Sequence, residues 1–218
     1  MASWIVHLRI ADMLIDRMNV DEEKFIAGNI APDCGKRLPE GGFSPDKGVT
    51  HFTEKGKGEC DYYRFCERYV RNEPDFGRRS FYLGYFVHLM TDVLWVRLIN
   101  EPTKAGFAEL YSSDRNEYYR LVKKDWYDLD FLFLQKNPDF RAWEIFRGIT
   151  NFPNEYLDFY DRDNMSVQFA DIVKFYTYGS AEEDREYVYL SYEQAAEFVN
   201  EAAGEIYKKY MNLTKERD

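Results

Sequence analysis

Between Ser80 and Asn100 the chain spaces Phe81, Tyr85, Leu89 and Trp95 as one apolar helical stripe, and it sets His88 and Asp92 on the same face. This is the strongest helical pattern in the sequence, and it constrains the fold because it places a carboxylate among aromatic side chains. Burying that group is costly unless it is paired or coordinates a metal. His88 and Asp92 stand at i and i+4, one turn apart, so two arrangements satisfy the pattern. Either His88 donates to Asp92 in a self-contained core pair, or the two are ligands of one cation whose other partners come from elsewhere in the fold.

The elements around this helix also read as α. Ser3 is a candidate N-cap for a helix in which Trp4, His7, Leu8, Ala11, Leu14 or Ile15, and Met18 recur at helical spacing, so that His7 points inward. A second helix is expected from about Asp21 to Ile30, stopped by Pro32, with Asp33 at its exit. Residues 34–58 carry six glycines and two prolines with little periodicity, which reads as a long functional loop anchored near His51-Phe52. A helix is predicted over about Glu59 to Arg71. After a break at Glu101-Pro102, helices are expected across 104–136, from Pro138 onward, and over 153–161, 166–177 and 191–211. Tyr187 to Leu190 is the one plausible strand. With no internal repeat or linker, residues 1–218 read as a single all-α domain.

Composition removes several classes of function. A hydrophobic fraction of 45% excludes disorder. A net charge of −10 argues against sequence-independent binding to nucleic acid or stable association with anionic membranes. Lys36, Arg37, Lys47, Lys55 and Lys57 fall in one stretch and read as a solvated loop. Arg9, Asp12 and Asp16 interrupt the N-terminal segment, which therefore does not read as a signal peptide, and no apolar run is long enough to span a bilayer. Cys34, Cys60 and Cys66 form an odd set without CxxC spacing, and reduced thiols in a cytoplasmic compartment are expected. The oligomeric state is not legible.

Only three histidines occur, and each has apolar neighbours: His7, His51 and His88. With Asp33 and Asp92 they offer a nitrogen-and-oxygen set suited to Zn²⁺, with Mn²⁺, Fe²⁺ or Ni²⁺ as alternatives. The strings Phe25-Ile-Ala-Gly-Asn-Ile-Ala-Pro-Asp33, Thr50-His51-Phe52 and Tyr82-Leu-Gly-Tyr-Phe-Val-His-Leu-Met-Thr-Asp92 follow a histidine in the first helix. That ordered set resembles the zinc-dependent phospholipase C family, most strongly over residues 1 to about 100. The resemblance implies an all-α, multi-helix domain like that of these phospholipases and of single-strand nucleases. It also implies a hydrolase in which a metal-activated water attacks a phosphodiester, releasing diacylglycerol and a phosphorylated headgroup. By motif, Asp33, His51, His88 and Asp92 would form one metal site, Asp92 would bridge to a second metal held partly by His7, and Asp33 is the candidate catalytic base.

The chain departs from that family's secreted members, which use the amino group of an N-terminal Trp as a ligand, whereas Trp4 here is internal. It has no histidine after His88, and Leu98 stands where a further ligand would be expected. A full three-zinc cluster is therefore excluded by inventory, leaving one or two ions. Asp125 or Asp130, in the acidic segment Asp125-Trp-Tyr-Asp128-Leu-Asp130, would be the carboxylate to complete a second site unless that segment is a solvated helix face. Cys34 reads as a small buried hydrophobe beside Asp33.

Two functions follow from these residues. The first is a metal-dependent hydrolase of a small-molecule phosphoester, and the second is a non-catalytic metal-binding or interaction protein on the same scaffold. Adjacent His-Asp pairs, HExxH, ExxH and nucleophile-elbow motifs are all absent. Tyr62, Tyr63, Tyr82 and Tyr85 are expected in the core, with a substrate pocket or a cation-binding cage as the alternative.

Overall fold

A computed structural model describes residues 1–53, 60–182 and 184–215. Among the described residues the fold is all-α apart from one short hairpin. Helix α1 (Trp4–Met18) buries the face carrying Ile5, Leu8, Ala11, Ile15 and Met18, and it ends at Asn19 in the left-handed region (φ 48°). Helix α2 (Glu22–Ile30) is capped by Asp21, whose side chain accepts from the Lys24 amide at 2.9 Å. A 3₁₀ turn (Ala31–Asp33) follows with Pro32 inside it. Strands β1 (Lys36–Arg37) and β2 (Phe43–Ser44) pair antiparallel, and α3 (Lys47–Thr50) leads to His51.

Helix α4 (Tyr62–Phe65) runs on as a wider π turn to Val70. Helix α5 (Phe76–Trp95) begins at the Asp75 cap and likewise continues as a π turn to Asn100. The second half comprises α6 (Glu101–Gly106), α7 (Ala108–Ser113), α8 (Arg115–Lys136), α9 (Arg141–Gly148), α10 (Asn164–Tyr178) and α11 (Tyr192–Lys215). Among the described residues, no helix is long and apolar enough to cross a membrane.

The central contact is α2 against α5, and two glycines set its closeness. A Cβ at Gly28 would lie 1.9 Å from the Phe81 carbonyl oxygen, and one at Gly84 would lie 2.0 Å from that of Phe25. No side chain fits at either position, so the backbones nearly touch and the Asn29 carbonyl is carried up to His88. Helices α1 and α11 close over this pair, and their buried apolar residues form one continuous core with those of α2 and α5.

Several expectations need correction. Residues 187–190 form no strand: the Tyr189 amide donates to Asp125 instead of to a neighbouring strand. The segment 153–161 is not helical, because the Asn154 side chain competes for its backbone, donating to the Leu157 and Tyr160 carbonyls and accepting from the Tyr156 and Leu157 amides. At Glu101-Pro102 the backbone stays right-handed helical, since proline in a first turn sacrifices no hydrogen bond. The stretch 104–136 is broken at Phe107 and Asp114, and the helix expected from Pro138 starts at Arg141. The loop 34–58 contains the hairpin and α3. Its residues 54–58, including Lys55 and Lys57, lie outside the described residues, as does Glu59 at the expected start of the next helix.

Candidate metal centre

Five side chains from four parts of the chain converge beneath α1. His7 comes from α1, Asp33 from the 3₁₀ turn, His51 from the end of α3, and His88 and Asp92 from successive turns of α5. All three imidazoles are at most 3% exposed, as is Asp92. The His7 and His88 rings stack in parallel at 3.8 Å, and the His51 ring meets His88 edge-on at 5.3 Å.

The Asp92 carboxylate faces two ways. Its Oδ1 lies 3.4 Å from His7 Nε2 and accepts from the Ala2 amide at 2.9 Å. Its Oδ2 lies 3.6 Å from both His51 Nε2 and His88 Nε2. Asp33 Oδ1 is 3.6 Å from His51 Nε2. One ligand atom each from His7, His88 and Asp92 falls within 4.8 Å of the others, and the same holds for Asp33, His51 and His88. The two trios share His88, while Asp92 reaches toward both.

Neighbouring groups fix the rings. His88 Nδ1 lies 2.7 Å from the Asn29 carbonyl, which can only accept, so the proton sits on Nδ1 and Nε2 presents a lone pair to the cluster. His51 Nδ1 lies 2.9 Å from Thr50 Oγ1, and the Thr50 carbonyl accepts from the Tyr85 hydroxyl. Asp33 is held by Trp4 Nε1 on Oδ2 (2.9 Å) and by Lys47 Nζ on Oδ1 (3.1 Å).

Charge and burial oppose each other here. Burial pushes the Asp33 carboxyl up, but the Lys47 ammonium and the imidazoles of His88 and His51 outweigh it and hold Asp33 below the ordinary carboxylate range. Asp92 is likewise held well below it against burial, by the positive charge at the amino end of the chain and by His7 and His88. Burial drives His88 and His51 down, favouring neutral rings. The result is ionised carboxylates beside His51 and His88 rings that favour the neutral form, the protonation state that metal ligands require.

What remains unsatisfied is the informative part. His51 Nε2, His88 Nε2, both ring nitrogens of His7 and Asp92 Oδ2 are buried with no hydrogen-bond partner. Unpartnered polar atoms of this kind are costly in a core. Three imidazoles and a carboxylate oxygen converging on one place are the donor set a borderline divalent cation takes. These residues therefore fit a zinc ion.

The acidic segment behaves differently, and both expectations for it fail. Asp125, Asp128 and Asp130 are buried rather than solvated, and none belongs to either trio. Asp125 pairs with Arg185 and accepts from the Tyr189 amide at 2.7 Å. Asp128 accepts from Arg185 and from the Glu182 amide, each at 3.0 Å. Asp130 accepts from the hydroxyls of Ser3 (2.7 Å) and Tyr176 (2.6 Å). Cys34 is buried, with its thiol 3.6 Å from the Ile30 carbonyl.

A cleft of about 890 Å³ opens beside Asp33. Trp4, Phe43, Tyr119, Trp126 and Tyr127 supply its aromatic walls, not the tyrosines singled out in the sequence. Tyr82 and Tyr85 are instead core residues. Lys36, Arg37 and Lys47 line the same cleft, so this part of the basic stretch is not merely a solvated loop. Trp4, Lys47, Asn29 and Thr50 as partners of the cluster are what the sequence reading missed. Only Trp4, one turn ahead of His7, carried a signal of its own.

The helical fold draws three imidazoles and two carboxylates into one cluster beside an open cleft, the arrangement of a metal-binding helical protein. The chain matches the model of the zinc dependent phospholipase C family over residues 6–159, more than half of its length, and it belongs to that family. The match reaches well past residue 100 and contains all five cluster residues. No curated protein and no solved structure matches it.

Proposed function

We propose that this chain is a phospholipase C-like hydrolase of phosphoester bonds, in which His7, Asp33, His51, His88 and Asp92 hold one or two zinc ions. The single observation that carries the reading is the convergence of buried imidazole nitrogens and Asp92 Oδ2, unpartnered among the described residues, beside a cleft large enough for a small substrate. Zinc bound there supplies a Lewis acid and lowers the pKa of water toward neutrality. Mn²⁺, Fe²⁺ or Ni²⁺ would suit the same donors.

The protein groups have separable roles. Asn29 and Thr50 orient the His88 and His51 rings and direct Nε2 of His88 inward. Asp92 Oδ1 lies beside His7 and Oδ2 beside His51 and His88, so this one carboxylate would serve both trios of ligands. Asp33 is the member of the cluster that lines the cleft. With Lys47 and Trp4 holding it ionised and fixed, it is placed to accept a hydrogen bond from an attacking water and to aim it at phosphorus.

A second reading is a metal-binding or interaction protein without turnover. It is favoured by the absence of any histidine after His88 and by the engagement of the acids of α8 elsewhere. Elemental analysis of the purified protein, followed by turnover of bis(p-nitrophenyl) phosphate with each metal restored, separates the two. Hydrolysis that needs metal and disappears in His88→Ala supports the enzyme. Stoichiometric metal with no turnover supports the binding protein, and a protein that retains none of the four metals defeats both.

A further inference from the structure

The cleft beside Asp33 has a charge that the composition does not foretell. On one side, the β1–β2 hairpin presents Lys36 and Arg37. On the other, α8 turns Tyr119, Lys123, Trp126 and Tyr127 toward it, positions i, i+4, i+7 and i+8 on one helix stripe. Lys47 enters from α3. Four cations thus line one opening in a protein whose net charge is −10.

Pairing decides which of the four are available. Lys47 is committed to Asp33 at 3.1 Å, and Lys36 to Asp161 and Asp163 at 3.2 and 3.1 Å. Arg37 and Lys123 make no ion pair among the described residues. Arg37 lies over the Phe43 ring at 5.6 Å. The one carboxylate of the rim outside these pairs is Asp171 on α10. The two cations without an ion pair thus line the same opening as the aromatic side chains of Trp4, Tyr119 and Tyr127.

We propose that Arg37 and Lys123 form an anion subsite, so that the preferred substrate is a phosphoester carrying a second phosphate or carboxylate, not a cationic headgroup. This rests on the hydrolase reading for the reacting phosphate, but the subsite itself is a binding claim. The reacting ester lies against Asp33, the organic part stacks on Tyr119 or Tyr127, and the distal anion bridges the hairpin and α8. Arginine can grip such a group with two parallel N–H donors, and lysine adds a point charge. Because both side chains are exposed, the attraction weakens as salt rises.

The test is calorimetric titration of zinc-loaded protein with glycerol 1,3-bisphosphate and with phosphocholine. The wild type is expected to bind the bisphosphate about tenfold or more tightly. The double variant R37E/K123E is expected to lose or invert that preference while keeping its circular dichroism and melting temperature. Equal or tighter binding of phosphocholine by the wild type overturns the proposal, and so does a preference that survives the charge reversal. Turnover of bis(p-nitrophenyl) phosphate, measured in parallel, reports on the hydrolase reading alone. Its absence alongside an intact bisphosphate preference removes that reading and leaves the subsite. Phosphatidylcholine vesicles containing phosphatidylinositol 4-phosphate distinguish a lipid headgroup from a free metabolite: tighter binding to them than to plain phosphatidylcholine assigns the lipid, and preference only for the soluble bisphosphate assigns the metabolite. Indifference to both overturns the proposal.

Discussion

Two groups of buried carboxylates lie in this molecule, and they are satisfied in opposite ways. On α8, Asp125, Asp128 and Asp130 are matched oxygen by oxygen by Arg185, by backbone amides and by hydroxyls, so nothing is missing. In the cluster under α1, Asp92 Oδ2 and imidazole nitrogens of all three histidines have no hydrogen-bond partner among the described residues. Burial of an acid is common to both. The difference lies in whether the fold supplies donors, and a ligand set is recognised by acceptors left over.

Metal removal should give the largest divergence between the two. Stripping the protein with a chelator is expected to lower its melting temperature, because binding energy is lost and the unpartnered polar atoms remain. Turnover should fall at least about a hundredfold and return with zinc. His88→Ala should reproduce the loss without recovery on adding metal. A melting temperature indifferent to the chelator but lowered by His88→Ala would show that the cluster is a self-contained core pair.

Arg185→Met reverses the experiment. It strands Asp125 and Asp128 without their cation, and the expected loss is about 3–5 kcal/mol by urea denaturation. Metal content per folded molecule should not change. If zinc stoichiometry falls while the protein remains folded, the two groups are coupled and the contrast between them breaks down.

Gly84→Ala tests the geometry that serves the cluster. Its Cβ would stand 2.0 Å from the Phe25 carbonyl and 2.8 Å from the Asn29 amide, so α2 must move away from α5. The expected cost is about 1–3 kcal/mol. The Asn29 carbonyl would also withdraw from His88 Nδ1, so zinc affinity should fall about tenfold or more in competition with a chelating dye. Lost stability with unchanged affinity would mean that this carbonyl does not orient the ring.

What was legible in the sequence is what periodicity encodes. The all-α class, α1, α2 and α5, and the inward placing of His7, His88 and Asp92 follow from apolar residues recurring every three or four positions around a few polar ones. Segments governed by a single side chain were not legible: Asn154 reorganises 153–161, and Asp125 captures Tyr189 from an expected strand. Partners distant in sequence were equally silent. Nothing in the run Asp125 to Asp130 announces Arg185, which lies in a segment without periodicity. Nothing in Lys47 announces that it closes on Asp33, because a lysine among glycines has the same local pattern whether solvated or paired.

Asp130 offers the finest test, since it lies between the two groups: an acid of α8 bonded to Ser3 at the start of α1. Burial pushes its carboxyl up to about 7, and hydrogen bonds from Tyr176 and Ser3 only partly offset this. A carboxyl raised in the folded state binds more protons there than in the unfolded chain. Its contribution to stability is therefore full below about pH 4 and is lost as pH rises through about 7, with about 4 kcal/mol as the upper bound. Asn cannot ionise, yet it can still accept from one hydroxyl and donate to the other. Asp130→Asn should therefore stabilise the protein at pH 8 by about 1–2 kcal/mol, with little effect at about pH 4. The change should appear as a flatter stability profile between those values. An unchanged slope would mean that Asp130 is ionised throughout, stabilised by its two hydroxyl donors as fully as Asp125 is by its arginine.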